Sequence, residues 1–276
     1  MSDPADAPLD FDVSQWPAAR PPDGLFVVGT ARGVGCTLTA GAVARHLRRK
    51  KRKVEPLVPV ATGCRRTREG LVSPAAEFLA ACADARLSLT DIAPVRLGPD
   101  APPNVAAGRA GRPVDPEDIL RAYRFACSRA NTLVVDGGEL LRPLTDEFWS
   151  IHLARILALP LLVVTTGERG ALNHTLLTLH AARSAGLRLA GVVINRYLLS
   201  PPGPGPENVP RELDAGAELT MATARDEVAA RGRAKVLAIL PEDPGNRVAD
   251  ARIGDDTQYA VDQVDWRELL RAGAEA

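Results

Sequence analysis

Gly29-Thr30-Ala31-Arg32-Gly33-Val34-Gly35-Cys36-Thr37 is the stretch that decides the fold. It follows Leu25-Phe26-Val27-Val28, a short continuous apolar run of the kind found in strands buried on both faces. From Thr37 to about Lys50, Leu38, Val43 and Leu47 fall at helical spacing. Gly29, Gly35 and Thr37 match GxxxxGK[ST], with Cys36 at the lysine position, and strand, glycine-rich turn and helix come in the order that motif requires. The backbone N–H groups of such a turn, with the helix N-terminus behind them, form an anion-binding nest, which needs glycines and geometry rather than a lysine. Gly29, Thr30, Gly33, Val34, Gly35 and Thr37 are therefore the candidate phosphate-binding residues, and the Thr37 hydroxyl is available to a magnesium ion. The alternative is a tight strand-to-helix turn that binds nothing.

Outward from this turn, apolar runs recur at Leu57–Ala61, Thr132–Val135, Leu161–Thr165, Leu189–Ile194 and Val236–Leu240. Helical patterns at Asp115–Ala130, Asp146–Ala158 and Ala171–Ala185, and another near Ala222–Arg231, separate most of them. This alternation predicts an α/β fold: an open, mainly parallel sheet with right-handed crossovers and helices on both faces, of the P-loop NTPase-like kind. Residues 1–22, rich in Asp, Ala and Pro, read as a disordered leader, and residues 23–276 as one domain without internal repeat. Pro201-Pro202-Gly203-Pro204-Gly205-Pro206 opens a long surface loop.

The 34 Lys and Arg residues equal the 34 Asp and Glu residues, so net charge offers no argument for a nucleic-acid or membrane partner. No apolar run reaches membrane-spanning length, and the N-terminus lacks the basic start and apolar stretch of a secretion signal. Cys36, Cys64, Cys82 and Cys127 are too widely spaced for a zinc site and read as reduced thiols, so a cytoplasmic location is expected. The four histidines lack metal-hydrolase spacing. The basic run Arg48-Arg49-Lys50-Lys51-Arg52-Lys53 sits at a helix C-terminus, where cations suit the macrodipole, and reads as a solvated face rather than a patch for an acidic partner.

Five blocks in order resemble dethiobiotin synthetase, from Gly24 to about Leu240. The turn above is the first. Val58-Pro59-Val60-Ala61-Thr62-Gly63 is similar to KPVxSG. Asp136-Gly137-Gly138-Glu139-Leu140-Leu141-Arg142-Pro143-Leu144 is similar to EGAGGLLVPL, one residue shorter. Gly170-Ala171-Leu172-Asn173-His174-Thr175-Leu176-Leu177-Thr178 is close to GxINHTLLT, and Gly191-Val192-Val193-Ile194-Asn195 resembles the strand whose asparagine reads adenine. The resemblance implies a homodimer that uses MgATP and carbon dioxide to close a ureido ring on 7,8-diaminopelargonate. It implies ATP contacts from the phosphate turn, Asn195 and Pro241, and metal ligands in Thr37 and Asp136. It implies substrate contacts from Thr62, Gly137, Asn173 and His174, with the substrate carboxylate at a helix N-terminus across the dimer interface. The Asn-His-Thr-Leu-Leu-Thr stretch argues against a partitioning ATPase or a cobyrinate-amidating relative.

Departures from the family pattern fall on chemistry. Its two lysines are Cys36 and Val58, an acidic metal ligand is Ala75, and its block-three glutamate is Asp136. Efficient catalysis is put in question, and a non-catalytic homologue binding nucleotide, a carboxylate or a protein is the alternative. Arg32, where the family has a threonine near substrate, is the candidate replacement cation; otherwise it faces solvent or fills the phosphate site. Asp136, at a strand end, either serves a metal or a phosphate-bound water, or caps the next turn. Asn173 is an N-cap candidate, and Pro241 either packs on adenine or simply ends a strand. Cys36, at a helix N-terminus, is a candidate reactive thiol.

Overall fold

The structure is a computed structural model that describes residues 23–197 and 215–271. The leader at 1–22 and the proline-rich start of the long loop lie outside the described residues. In chain order the elements are β1 (Asp23–Gly29), α1 (Cys36–Arg49), β2 (Val54–Leu57), β3 (Val60–Ala61), β4 (Arg65–Thr67), β5 (Gly70–Val72), α2 (Pro74–Ala83), α3 (Leu89–Ile92), β6 (Val95–Arg96) and α4 (Pro103–Ala110). They continue with α5 (Pro116–Arg129), β7 (Thr132–Glu139), α6 (Ser150–Leu157), β8 (Leu161–Thr166), α7 (Ala171–Ser184), β9 (Leu189–Tyr197), α8 (Ala215–Gly232), β10 (Val236–Pro241), α9 (Asp255–Asp262) and α10 (Trp266–Leu269).

Six strands form one parallel sheet in the order β10-β9-β8-β1-β7-β2, with helices on both faces. The early crossovers run to one side of β1 and the later ones to the other, which makes the C-terminal end of β1 a topological switch point, where ligands of open α/β sheets bind. The central strands are apolar throughout because both their faces are covered: Leu25, Phe26, Val27 and Val28 are fully buried, as are Val134, Val135, Val163 and Val164. Among the described residues no helix is long and apolar enough to cross a membrane.

Two expected elements are placed differently. The sheet strand is Val54–Leu57, not Leu57–Ala61. Pro59 has no N–H to give a ladder, and the chain leaves the sheet there to pair Val60 and Ala61 with β6 in a separate two-strand ribbon. β2 itself carries Pro56, tolerated because β2 is an edge strand. The helix expected from Asp146 starts at Ser150, since the Thr145 hydroxyl accepts the N–H groups of Glu147 and Phe148 (3.3 and 2.9 Å) and holds that segment as a turn.

Between β1 and β7 the register slips: Val27 lies beside Asp136 and Val28 beside Gly138, leaving Gly137 as the extra residue of a bulge. A Cβ on Gly137 would lie 2.2 Å from the buried ring of Phe26. Gly137→Ala is therefore expected to destabilise the fold by about 1–3 kcal/mol through overpacking. Gly108→Ala, on the exposed side of α4 with no atom within 4 Å, is expected to stabilise by about 0.5–1 kcal/mol. Paired urea melts check both signs.

Candidate functional site

A cavity of about 1080 Å³ opens at the C-terminal ends of β1, β7, β9 and β10. Its floor is the turn from β1 into α1. Gly35 is the N-cap of α1 in the left-handed conformation (φ 101°), and neither a capping side chain nor an acidic first-turn residue covers the first-turn N–H groups. Uncapped N–H groups of this kind, with the helix dipole behind them, suit an anion. The turn is held from two sides. Thr30 N–H donates to the Val164 carbonyl (3.0 Å) and its hydroxyl to Thr165 (3.2 Å), which is linked on to Thr175 in α7 (2.8 Å). From the end of β9, the buried Asn195 amide donates to the Val34 carbonyl (2.8 Å).

Thr37, in the first turn of α1, donates its hydroxyl to Asp136 Oδ2 at 2.6 Å, and the Gly138 N–H donates to Asp136 Oδ1 at 3.3 Å. Asp136 is 6 % exposed. Burial pushes its carboxyl pKa above the ordinary range, against the bond from Thr37 and the charge of Arg142. A hydroxyl and a carboxylate thus stand side by side beneath the turn, oxygen donors of the kind a hard divalent cation takes. No group of three or more His, Cys, Asp or Glu side chains suited to a metal occurs among the described residues.

Gly29, Thr30, Arg32, Gly33, Gly35, Thr37, Thr62, Asp136, His174, Asn195 and Pro241 all line this cavity. Val34 turns inward and reaches only an adjoining 250 Å³ cavity, where Arg169, Arg196 and His174 surround the start of α7. Gly137 packs on Phe26 and gives its carbonyl to Ser150 (3.1 Å). Asn173 is not the N-cap: Gly170 (φ 87°) begins α7, leaving Asn173 exposed inside the first turn and in neither cavity. A glycine in the left-handed region sets the helix start without a side-chain cap, as at Gly35.

Arg32 stands at the rim, with its side chain 65 % exposed and salt-bridged to Asp100 from the loop after β6. Arg142, from the loop after β7, is the guanidinium inside: its Nη2 donates to the Val60 carbonyl (3.2 Å), its Nε lies 3.9 Å from Glu139, and its side chain is 16 % exposed. Nothing in the sequence marks Asp100 or Glu139 as a cavity residue, and Arg142 shows only as an arginine where the similar block has valine. At Cys36 burial pushes the thiol pKa up, and Asp136 and Glu139 push it further against the charge of Arg142, which runs counter to an activated thiol.

The loop after β10 closes another side of the cavity, held by Asp243, which accepts from the N–H groups of Gly245 (2.8 Å) and Thr257 (3.2 Å). The basic run lies away from the cavity. Arg48 pairs with Asp84 (2.7 Å), Arg49 with Asp262 (3.3 Å), and Arg52 with Asp23 and Thr132, while its three lysines are exposed. All four cysteines are free thiols.

Because burial raises the Asp136 pKa, its ionised form costs stability in the folded chain, and the cost is present above that raised pKa. Asp136→Asn is expected to raise the melting temperature of the ligand-free protein at neutral pH. The gain should shrink as pH falls through the raised pKa. Melting curves taken across the acidic range read this directly.

A family model described as an AAA domain matches residues 23–247. The chain is 36% identical over 222 residues to an ATP-dependent dethiobiotin synthetase of Anaeromyxobacter dehalogenans, covering 80% of this chain and 91% of that protein. It is 38% identical over 174 residues to the enzyme of the same name from Nitrosospira multiformis, covering 63% and 75%. Among solved structures, a ParA-family ATPase from Chlorobium tepidum is similar in fold (TM-score 0.53, 15% identity, 88% of this chain and 98% of that one). So is the septum site-determining protein MinD of Pyrococcus horikoshii, solved with Mg-ADP (TM-score 0.50, 16% identity, 87% and 92%). The fold is thus that of the P-loop NTPases, and by sequence the chain belongs to the ATP-dependent dethiobiotin synthetase family.

Proposed function

We propose that this chain binds MgATP over the N-terminus of α1 and uses it, with carbon dioxide, to close a ureido ring on 7,8-diaminopelargonate, giving dethiobiotin. The observation that carries the reading is the Thr37–Asp136 pair beneath an uncapped helix N-terminus, in a chain of this family. Thr37 and Asp136 would hold the magnesium ion and the N–H groups of the turn the phosphates, while Asn195 and the Pro241 loop would face the adenine. Bound ATP supplies the phosphoryl group that activates the carboxylated amine. Thr62 would contact the diamine; Gly137, buried on Phe26 and outside the cavity lining, would not. The substrate carboxylate would lie at the N-terminus of α7, beside Asn173 and His174, where the helix dipole favours an anion. A homodimer completes that end of the site; the exposed Leu141 and Leu177 at the cavity mouth suit burial by a second subunit. The working compartment is the cytoplasm.

The family's two lysines are Cys36 and Val58 here, and Val58 is buried at 4 % exposure. Each lost donor to developing charge costs roughly 10²–10³ in rate, and such losses do not add when the groups act as a unit. Slow turnover is therefore expected. Those losses also favour a second reading, a homologue that binds nucleotide or a carboxylate without catalysis.

With MgATP, 7,8-diaminopelargonate and bicarbonate, the full chain is expected to form dethiobiotin detectable by mass spectrometry, and omission of any one component should abolish it. Absence of product beside an active family enzyme, with the chain folded, would replace ring closure with the binding reading. ATP hydrolysis without the diamine would instead indicate a partitioning-type ATPase.

A further inference from the structure

Neither Cys36 nor Val58 can carry positive charge, yet the cavity does hold a cation. Arg142 lines it together with Gly35, Cys36, Thr37 and Asp136. The side chain bridges two loops: it leaves the turn after β7 and anchors on the Val60 carbonyl, two residues past Val58. Gly138, at φ 68°, makes room for it, since a Cβ there would lie 2.6 Å from Arg142 Cζ.

The guanidinium is under-used. Its Nε is buried with no hydrogen-bond partner: Glu139 forms an ion pair with it at 3.9 Å, which balances charge but is too long for a hydrogen bond. A buried donor left open is costly unless something else meets it. A polyphosphate would, because an arginine fork matches phosphate oxygens and stays charged when buried.

We propose that Arg142 is the cation that binds the terminal phosphates of the nucleotide, in place of the lysine missing at Cys36. This rests on the MgATP reading above. The cation then comes from the loop after β7 rather than from the turn itself, and its field acts on both Cys36 and Asp136.

The test compares ATP with AMP on the full chain by calorimetry in magnesium buffer, since AMP lacks the terminal phosphates. Arg142→Leu is expected to weaken ATP about 10- to 100-fold, the loss of one charge-assisted contact, and to leave AMP within about twofold. Arg142→Lys should fall between wild type and Arg142→Leu. Adding Cys36→Lys to Arg142→Leu should restore ATP affinity, which a merely structural role for Arg142 would not allow. Equal ATP affinity in wild type and Arg142→Leu would overturn the assignment. So would parallel loss of ATP and AMP in both Arg142 variants with no rescue by Cys36→Lys. Wild type that binds neither nucleotide would instead remove the MgATP reading, and this assignment with it.

Discussion

At φ 101° Gly35 turns the chain out of the phosphate loop and into α1, and the whole site is arranged around that turn. A side chain there would be excluded twice over. L-residues avoid this conformation, and a Cβ would sit 2.0 Å from the Asn195 amide nitrogen, the group that holds Val34 from the far side of the sheet. With Gly35 in place, α1 presents uncapped N–H groups to the cavity and sets Thr37 beside Asp136. The bulge at Gly137 completes the arrangement by shifting β7 one residue against β1, just where Asp136 must meet Thr37.

Charge in the cavity is unevenly placed: Arg32 and Arg196 are exposed, and Arg142 is the arginine set inside. Asp136 is buried with its pKa raised, burial and the nearby carboxylates raise that of Cys36, and Arg32 spends its charge on Asp100 at the exposed rim. An exposed ion pair of that kind adds little to stability, because water screens it. It does span two loops across the cavity mouth. The interior cation is Arg142, close to Glu139 but not hydrogen-bonded to it. A buried carboxylate and an open guanidinium donor are costly to the free protein.

Much of the fold was legible because strands buried on both faces must be apolar and the helices between them must be amphipathic. The expected helix at Asp115–Ala130 is found at Pro116–Arg129, with Asp115 as its cap. The failures have local causes. Pro59 ends the sheet strand early, a threonine hydroxyl delays α6, and a glycine rather than Asn173 begins α7. In the candidate site, the meeting of the turn's glycines, Thr37 and Asp136 at one cavity was legible because a glycine-rich strand-to-helix turn has fixed spacing. Arg142 and Asp100 were not, since their partners Val60 and Arg32 are 82 and 68 residues away in sequence. No spacing rule reports contacts between loops brought together only by the sheet order.

Calorimetric titration of the full chain with ATP, with and without Mg2+, examines the phosphate site itself. Saturable binding that Mg2+ tightens in wild type, and no longer tightens in Thr37→Ala, is the expected result. ATP binding indifferent to Mg2+, or equally Mg2+-dependent without the Thr37 hydroxyl, would contradict the assignment of Thr37 and Asp136 to the metal.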